Sequence, residues 1–131
     1  MKQLIQSLAN GSNSLLDLPS QIAEPGHLLI KTKCSIVSSG TERMLIDFGK
    51  SGLIGKARLQ PDKVKQVLHK ARADGILTTL EAVISKLDQP LPMGYSNVGV
   101  IVAVGEGVTN FDIGERVVSN GPHAELVAVP Q

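Results

Sequence analysis

The stretch Pro92-Met93-Gly94-Tyr95-Ser96-Asn97-Val98-Gly99-Val100-Ile101-Val102-Ala103-Val104-Gly105-Glu106-Gly107 decides the fold. Residues 97–104 form a near-continuous apolar run of strand length, the pattern of a strand buried on both faces or of a barrel wall. Gly105-Glu106-Gly107 then reads as a turn. A dinucleotide-binding glycine fingerprint would need a third glycine three positions on, at the start of a helix. Asn110 stands there instead, and Phe111-Asp112-Ile113-Gly114 leads into another strand pattern at 114–118, followed by a further one at 124–129.

Upstream, Pro25-Gly26 opens the run His27-Leu28-Leu29-Ile30-Lys31-Thr32-Lys33-Cys34-Ser35-Ile36-Val37. Alternation puts Leu28, Ile30, Thr32 and Cys34 on one face, with Cys34 expected as a small inward-facing core residue. Residues 2–8 and 14–18 are short strand candidates around the turn signal Asn10-Gly11-Ser12-Asn13. Between the β segments the period changes. Val64, Val67, Leu68 and Ala71 repeat at helical spacing after Pro61, with Gly75 as the stop. Leu77, Leu80, Ile84 and Leu87 form a second stripe ended by Pro90. Residues 42–48 and 53–59 are weaker helix candidates. The expected architecture is a mostly antiparallel, partly open β-barrel with a helical insertion at 42–88, in one domain spanning 1–131.

Composition narrows the function. The 131 residues carry 13 Lys and Arg against 12 Asp and Glu, and aromatics make up 2%. That balance disfavours phosphate neutralisation along a nucleic acid, and the lack of stacking side chains disfavours single-strand binding. Charge on residues 63, 65, 70 and 72 therefore reads as a solvated helix face. The uncharged run 91–105 is too short and interrupted to span a bilayer, and the N-terminus lacks a signal-peptide core. One cysteine allows no internal disulfide and no multi-thiolate metal cluster, which fits a cytoplasmic protein. His27, His69 and His123 are far apart in sequence, so each reads as an isolated surface or packed imidazole rather than a metal ligand. Two segments hold candidate chemistry. Ser38-Ser39-Gly40-Thr41-Glu42-Arg43 gathers hydroxyls, a carboxylate and a guanidinium, with Thr41 or Ser39 as a possible helix N-cap. Gly94-Tyr95-Ser96-Asn97 precedes the apolar strand.

Together these pieces resemble the N-terminal catalytic domain of medium-chain, zinc-type alcohol dehydrogenases, whose fold is similar to that of the co-chaperonin GroES. The run 25–31 matches a "PG-x-V-x-I-K" strand, and 92–108 matches "P-x-x-x-G-H-E-x-x-G-x-V-x-x-V-G-x-G-V". Residues 111–118 match "F-x-x-G-D-R-V", and 121–130 resemble "G-x-x-A-E-Y-x-x-V-P". The departures fall on the metal positions. Ser38 stands where the family has a zinc-binding Cys, Tyr95 where it has the zinc-binding His, and Ser96 where it has the adjoining Glu. A serine and a tyrosine do not replace a thiolate and an imidazole on zinc. The four-cysteine structural zinc lobe is absent, and the helical stretch 44–88 takes its approximate place. The Ser-x-Gly-Thr-Glu loop and the insert are similar to bacterial two-part oxidoreductases fused to a Gfo/Idh/MocA-type half, and a similar Gly-Thr-Glu loop occurs in the bacteriochlorophyllide dehydrogenase branch.

The resemblance implies the substrate-side lobe of an NAD(P)-dependent oxidoreductase acting on a small-molecule alcohol or carbonyl. The cofactor would be held by a Rossmann domain beyond Gln131. The excised lobe alone would bind no cofactor, carry no catalytic zinc and be inactive. Ser38, Thr41, Glu42 and Tyr95 are the expected catalytic residues, and Ser39 and Gly40 the expected cofactor-facing ones. The rival expectation is a stand-alone GroES-like binding or assembly module without catalysis.

Overall fold

The computed structural model describes residues 1–131. In chain order the elements are β1 (Lys2–Ser7), β2 (Asn13–Asp17), β3 (His27–Ser35), α1 (Thr41–Lys50), α2 (Leu53–Leu59), α3 (Pro61–Asp74), α4 (Ile76–Asp88), β4 (Pro90–Pro92), β5 (Asn97–Val104), β6 (Arg116–Ser119) and β7 (Leu126–Pro130). They divide into two compact units. One comprises Met1–Ile5, Ser14–Glu42 and Pro92–Gln131; the other comprises Gln6–Asn13 and Arg43–Leu91. The expected mostly-β chain with helices inserted in the middle is thus observed. No helix is long and apolar enough to cross a membrane.

The first unit is built on a four-stranded sheet in the order β6-β5-β3-β7, antiparallel at every pairing. Ile30 faces Ile101 on one side and Val127 on the other. These three side chains, with Leu28, Ala124 and Val129, form the buried core, flanked by Val104, Val108, Phe111 and Val117. Strands β2, β1 and β4 form a second sheet in that order. The segment before β7 joins the two, through the bridge Gln3↔Ala124 and the bonds Leu4 N–H to His123 O (2.9 Å) and His123 N–H to Met93 O (2.7 Å). This is a partly open barrel. Strand β5 is one of its walls: residues 97, 99 and 101 are buried while Val102 is exposed. The short β4 escapes sequence patterning because prolines occupy both its ends; they are tolerated because it lies at the edge of its sheet.

Strand β3 departs from simple alternation. Its register against β5 shifts between Leu29 and Ile30 and again between Thr32 and Cys34. The first shift leaves Val102 of β5 unpaired, and the second leaves Lys33 of β3 unpaired, which turns the β3 side chains that follow toward the other face. Cys34 is consequently exposed, not a core residue as alternation predicts, while Leu28 and Ile30 keep the alternation into the core and Leu29 is buried outside that cluster.

In the second unit the helices fall where punctuation places them. Pro61 occupies the first turn of α3, and Gly75 ends it with a bond from its N–H to Ala71 O. The apolar stripes are only partly covered, and Leu77 remains 78% exposed. The charged face of α3 is solvent-facing as expected. Lys56 is a feature that patterning misses. It is buried, and its ammonium donates to the carbonyls of Gly49 (2.9 Å) and Ser51 and lies 5.8 Å from the Phe48 ring centroid. A buried cation is tolerable when carbonyls and an aromatic face replace its water.

The turn after β5 is held by Gly105 N–H to His27 O (2.8 Å) and Gly26 N–H to Glu106 O (2.7 Å). A Cβ at Gly105 would stand 1.8 Å from the carbonyl oxygen of Glu24, so backbone would have to move. Gly105→Ala is expected to destabilise the barrel by about 3 kcal/mol, the upper range for overpacking. Denaturant unfolding checks this, and an unchanged midpoint would refute the close approach.

Candidate functional site

The site lies in the first unit, where the exit of β3, the start of α1, the loop before β5 and the approach to β7 converge. Ser38 opens the helix. Its hydroxyl accepts from Thr41 N–H at 3.4 Å, and its carbonyl accepts from Glu42 N–H at 3.1 Å. Its own N–H donates to Glu42 Oε1 at 2.9 Å. Two otherwise unsatisfied donors are paired reciprocally, in the manner of a capping box. The side chain that bonds a backbone N–H here is that of Ser38, in the turn leading into α1, beside Thr41 and Ser39, the N-cap candidates the sequence suggests. A carboxylate at this end also favours the helix dipole.

Tyr95 reaches the same place from the other loop. Its phenol donates to Thr41 Oγ1 at 3.2 Å, and the side chain is 47% exposed. Hydrogen bonding by the Ser38 hydroxyl, then by Thr41, holds the phenol below the ordinary tyrosine range; slight desolvation and the charge of Glu42 oppose this. Four of the expected residues, Ser38, Thr41, Glu42 and Tyr95, are thus brought together. Ser39 and Gly40 form the exposed turn beside them.

Sequence reasoning missed His123. It is not an isolated imidazole: Nε2 lies 3.2 Å from Glu42 Oε2 and Nδ1 lies 2.7 Å from Ser35 Oγ. The two side chains are 10% and 6% exposed. Residues 42 and 123 share no sequence motif, and only the meeting of α1 with the approach to β7 joins them. Asn97 is scaffold. Fully buried, it donates to Thr32 Oγ1 at 2.7 Å, and Thr32 Oγ1 in turn donates to Ala124 O, fixing the backbone beside His123. The ring of His27 bonds the local carbonyl of Pro25.

The donor set suits hydroxyl chemistry better than metal chemistry. No three His, Cys, Asp or Glu side chains approach closely enough to hold a metal ion. Glu42 and His123 supply two donors, each already bonded to the other, and the remaining groups at hand are neutral hydroxyls. Zinc takes four ligands drawn mainly from thiolate, imidazole and carboxylate, and these residues do not fit it. What they can do is present a phenol and two hydroxyls to a substrate oxygen.

Comparison with known proteins agrees with this architecture. The alcohol dehydrogenase GroES-like domain family matches residues 63–129, just over half of the chain. Alcohol dehydrogenase class-3 of Drosophila melanogaster is 32% identical over 71 residues, covering 51% of this chain and 19% of that protein. The quinone oxidoreductase of Coxiella burnetii superposes with a TM-score of 0.61 at 18% identity, over 99% of this chain and 34% of its own. A mycobacterial protein solved in complex with NADPH superposes with a TM-score of 0.58 at 22% identity, over 99% and 31% respectively. The chain therefore spans about a fifth to a third of the length of these proteins. The structural likenesses establish the expected GroES-like fold.

Tyr95 is the only tyrosine and there is no tryptophan, so tyrosinate absorbance reports this one residue. The titration midpoint is expected below that of free tyrosine, and Ser38→Ala is expected to raise it, because the hydroxyl that most favours the phenolate is removed. A midpoint that ignores Ser38→Ala would refute the stabilisation of the phenolate by Ser38.

Proposed function

The chain belongs to the alcohol dehydrogenase GroES-like domain family, and from that premise we propose that it is the substrate-side lobe of an NAD(P)-dependent oxidoreductase working without catalytic zinc. The observation that carries this reading is the Ser38–Thr41–Tyr95 hydroxyl cluster, which takes the place that the family resemblance gives to zinc ligands. A nicotinamide cofactor supplies or accepts the hydride when bound. Its use here is supported by the NADPH complex of a structural neighbour, and a Rossmann domain, in a two-part protein of the Gfo/Idh/MocA-fused type, would hold it.

The chain's own residues handle the oxygen of the substrate. As a carbonyl is reduced, negative charge grows on that oxygen, and a preorganised donor stabilises it. The phenol of Tyr95 is half-exposed, so its O–H can turn from Thr41 Oγ1 to the substrate oxygen, with the Thr41 hydroxyl then donating to the phenolic oxygen in its place. Its proton loss is eased by Ser38 and Thr41, which hydrogen-bond the phenolate left behind. In the oxidative direction the same phenolate accepts the alcohol proton. Glu42 holds the turn through Ser38 N–H. Ser39 and Gly40 form the face assigned to the cofactor: nothing lies within 4 Å of where a Cβ would stand at Gly40, leaving that backbone approachable.

The experiment uses the protein together with its nucleotide-binding domain, sought in the same reading frame beyond Gln131 or on a companion chain. Oxidation of reduced nicotinamide is followed with small aldehydes, ketones and quinones as acceptors. Tyr95→Phe is expected to lower kcat by about 10²-fold, the contribution of a positioned proton donor, with Thr41→Ala lowering it less. The 131-residue chain alone is expected to show no turnover. Undiminished rates in both variants would remove the site assignment.

A further inference from the structure

His123 touches every segment that builds the site. Its backbone N–H donates to Met93 O, two residues before Tyr95. One ring nitrogen meets Ser35 at the end of β3, and the other meets Glu42 on α1. The ring also fills the space over Gly94. That glycine has φ +90, and a Cβ there would lie 2.7 Å from ring atoms of His123, so only glycine leaves room for the imidazole directly before Tyr95. Glu42 divides its two oxygens between this ring and Ser38 N–H. A chain of contacts thus runs Ser35–His123–Glu42–Ser38, and Ser38 bonds the backbone of Thr41, whose hydroxyl receives the phenol.

We propose that His123 is the positioning residue of this site: it clamps Glu42 and the Gly94 loop so that the Ser38 and Thr41 hydroxyls meet Tyr95. Imidazole suits the task because its two nitrogens bond two partners on opposite sides of one rigid ring. Largely buried groups of this kind stay fixed when fully partnered, since water cannot compete for them. The consequence for turnover rests on the oxidoreductase reading above. The clamp itself does not.

The test reads the tyrosinate midpoint of Tyr95 in the 131-residue chain. The charged group close enough to act on the phenol is Glu42, and His123 is the group paired with Glu42. Losing the imidazole frees the Ser38–Thr41 turn and leaves Glu42 Oε2 without the hydrogen-bond donor that holds it at 3.2 Å, and both changes raise the midpoint. His123→Ala is expected to move it up toward free tyrosine. His123→Gln, which keeps an amide donor for Glu42, is expected to move it less. Ser35→Ala removes only the far anchor of the ring, leaves the backbone pairing of β3 intact, and is expected to move it in the same direction. If His123→Ala does not fold by far-UV circular dichroism, Ser35→Ala and His123→Gln decide. A wild-type midpoint in His123→Ala, or in Ser35→Ala where the former is unfolded, overturns the proposal. No substrate or cofactor enters the measurement, so a Tyr95→Phe protein with full turnover would remove the catalytic reading and leave the clamp standing.

Discussion

Strand β3 is hydrogen-bonded along both edges, to β5 on one side and to β7 on the other, and the barrel unit rests on that double pairing. Loss of either partner would expose a row of backbone donors and acceptors as well as the Ile30–Ile101–Val127 core. The pairing also sets the site. The end of β3 delivers Ser35 and the turn at 38–42. The start of β5 delivers Tyr95, and the approach to β7 delivers His123. Side chains that meet at the site are carried by strands whose relative register is fixed by the apolar core, so their geometry follows from packing some distance away.

Much of this fold is legible in the sequence, for identifiable reasons. The helices α3 and α4 are bounded by Pro61, Gly75 and Pro90, residues whose backbone restrictions act locally. The β5 strand declares itself by an apolar run that no surface helix would carry. The interior of β3 is less legible. Alternation presumes an unbroken pleat, and the register shift at Lys33 turns Cys34 outward. A bulge depends on what the neighbouring strands supply, and the residues of β3 alone do not announce it.

The site divides along the same line. Ser38, Thr41 and Glu42 lie within five positions and could be read as one cluster, and the family resemblance adds Tyr95. Ser38 ties together the turn into α1 because its hydroxyl, carbonyl and N–H are all used by the residues that follow. Spacing cannot weigh such three-way use. His123 and Lys56 were illegible for a related reason. Each is a polar residue made tolerable by partners remote in sequence or by backbone carbonyls, and neither leaves a periodic trace.

The glycine at 94 has a bearing on how this protein can change over generations. Glu42 and His123 are 81 positions apart, yet either one alone would be a largely buried polar group without its partner, which costs more than losing both. A side chain at 94 would evict the imidazole. Glu42 and His123 are therefore expected to be inherited as a pair, with Gly94, whose φ of +90 already favours glycine, kept beside them. Relatives that keep all three would carry the same clamp whatever substrate they take, and relatives that lack one would have rebuilt this corner of the barrel.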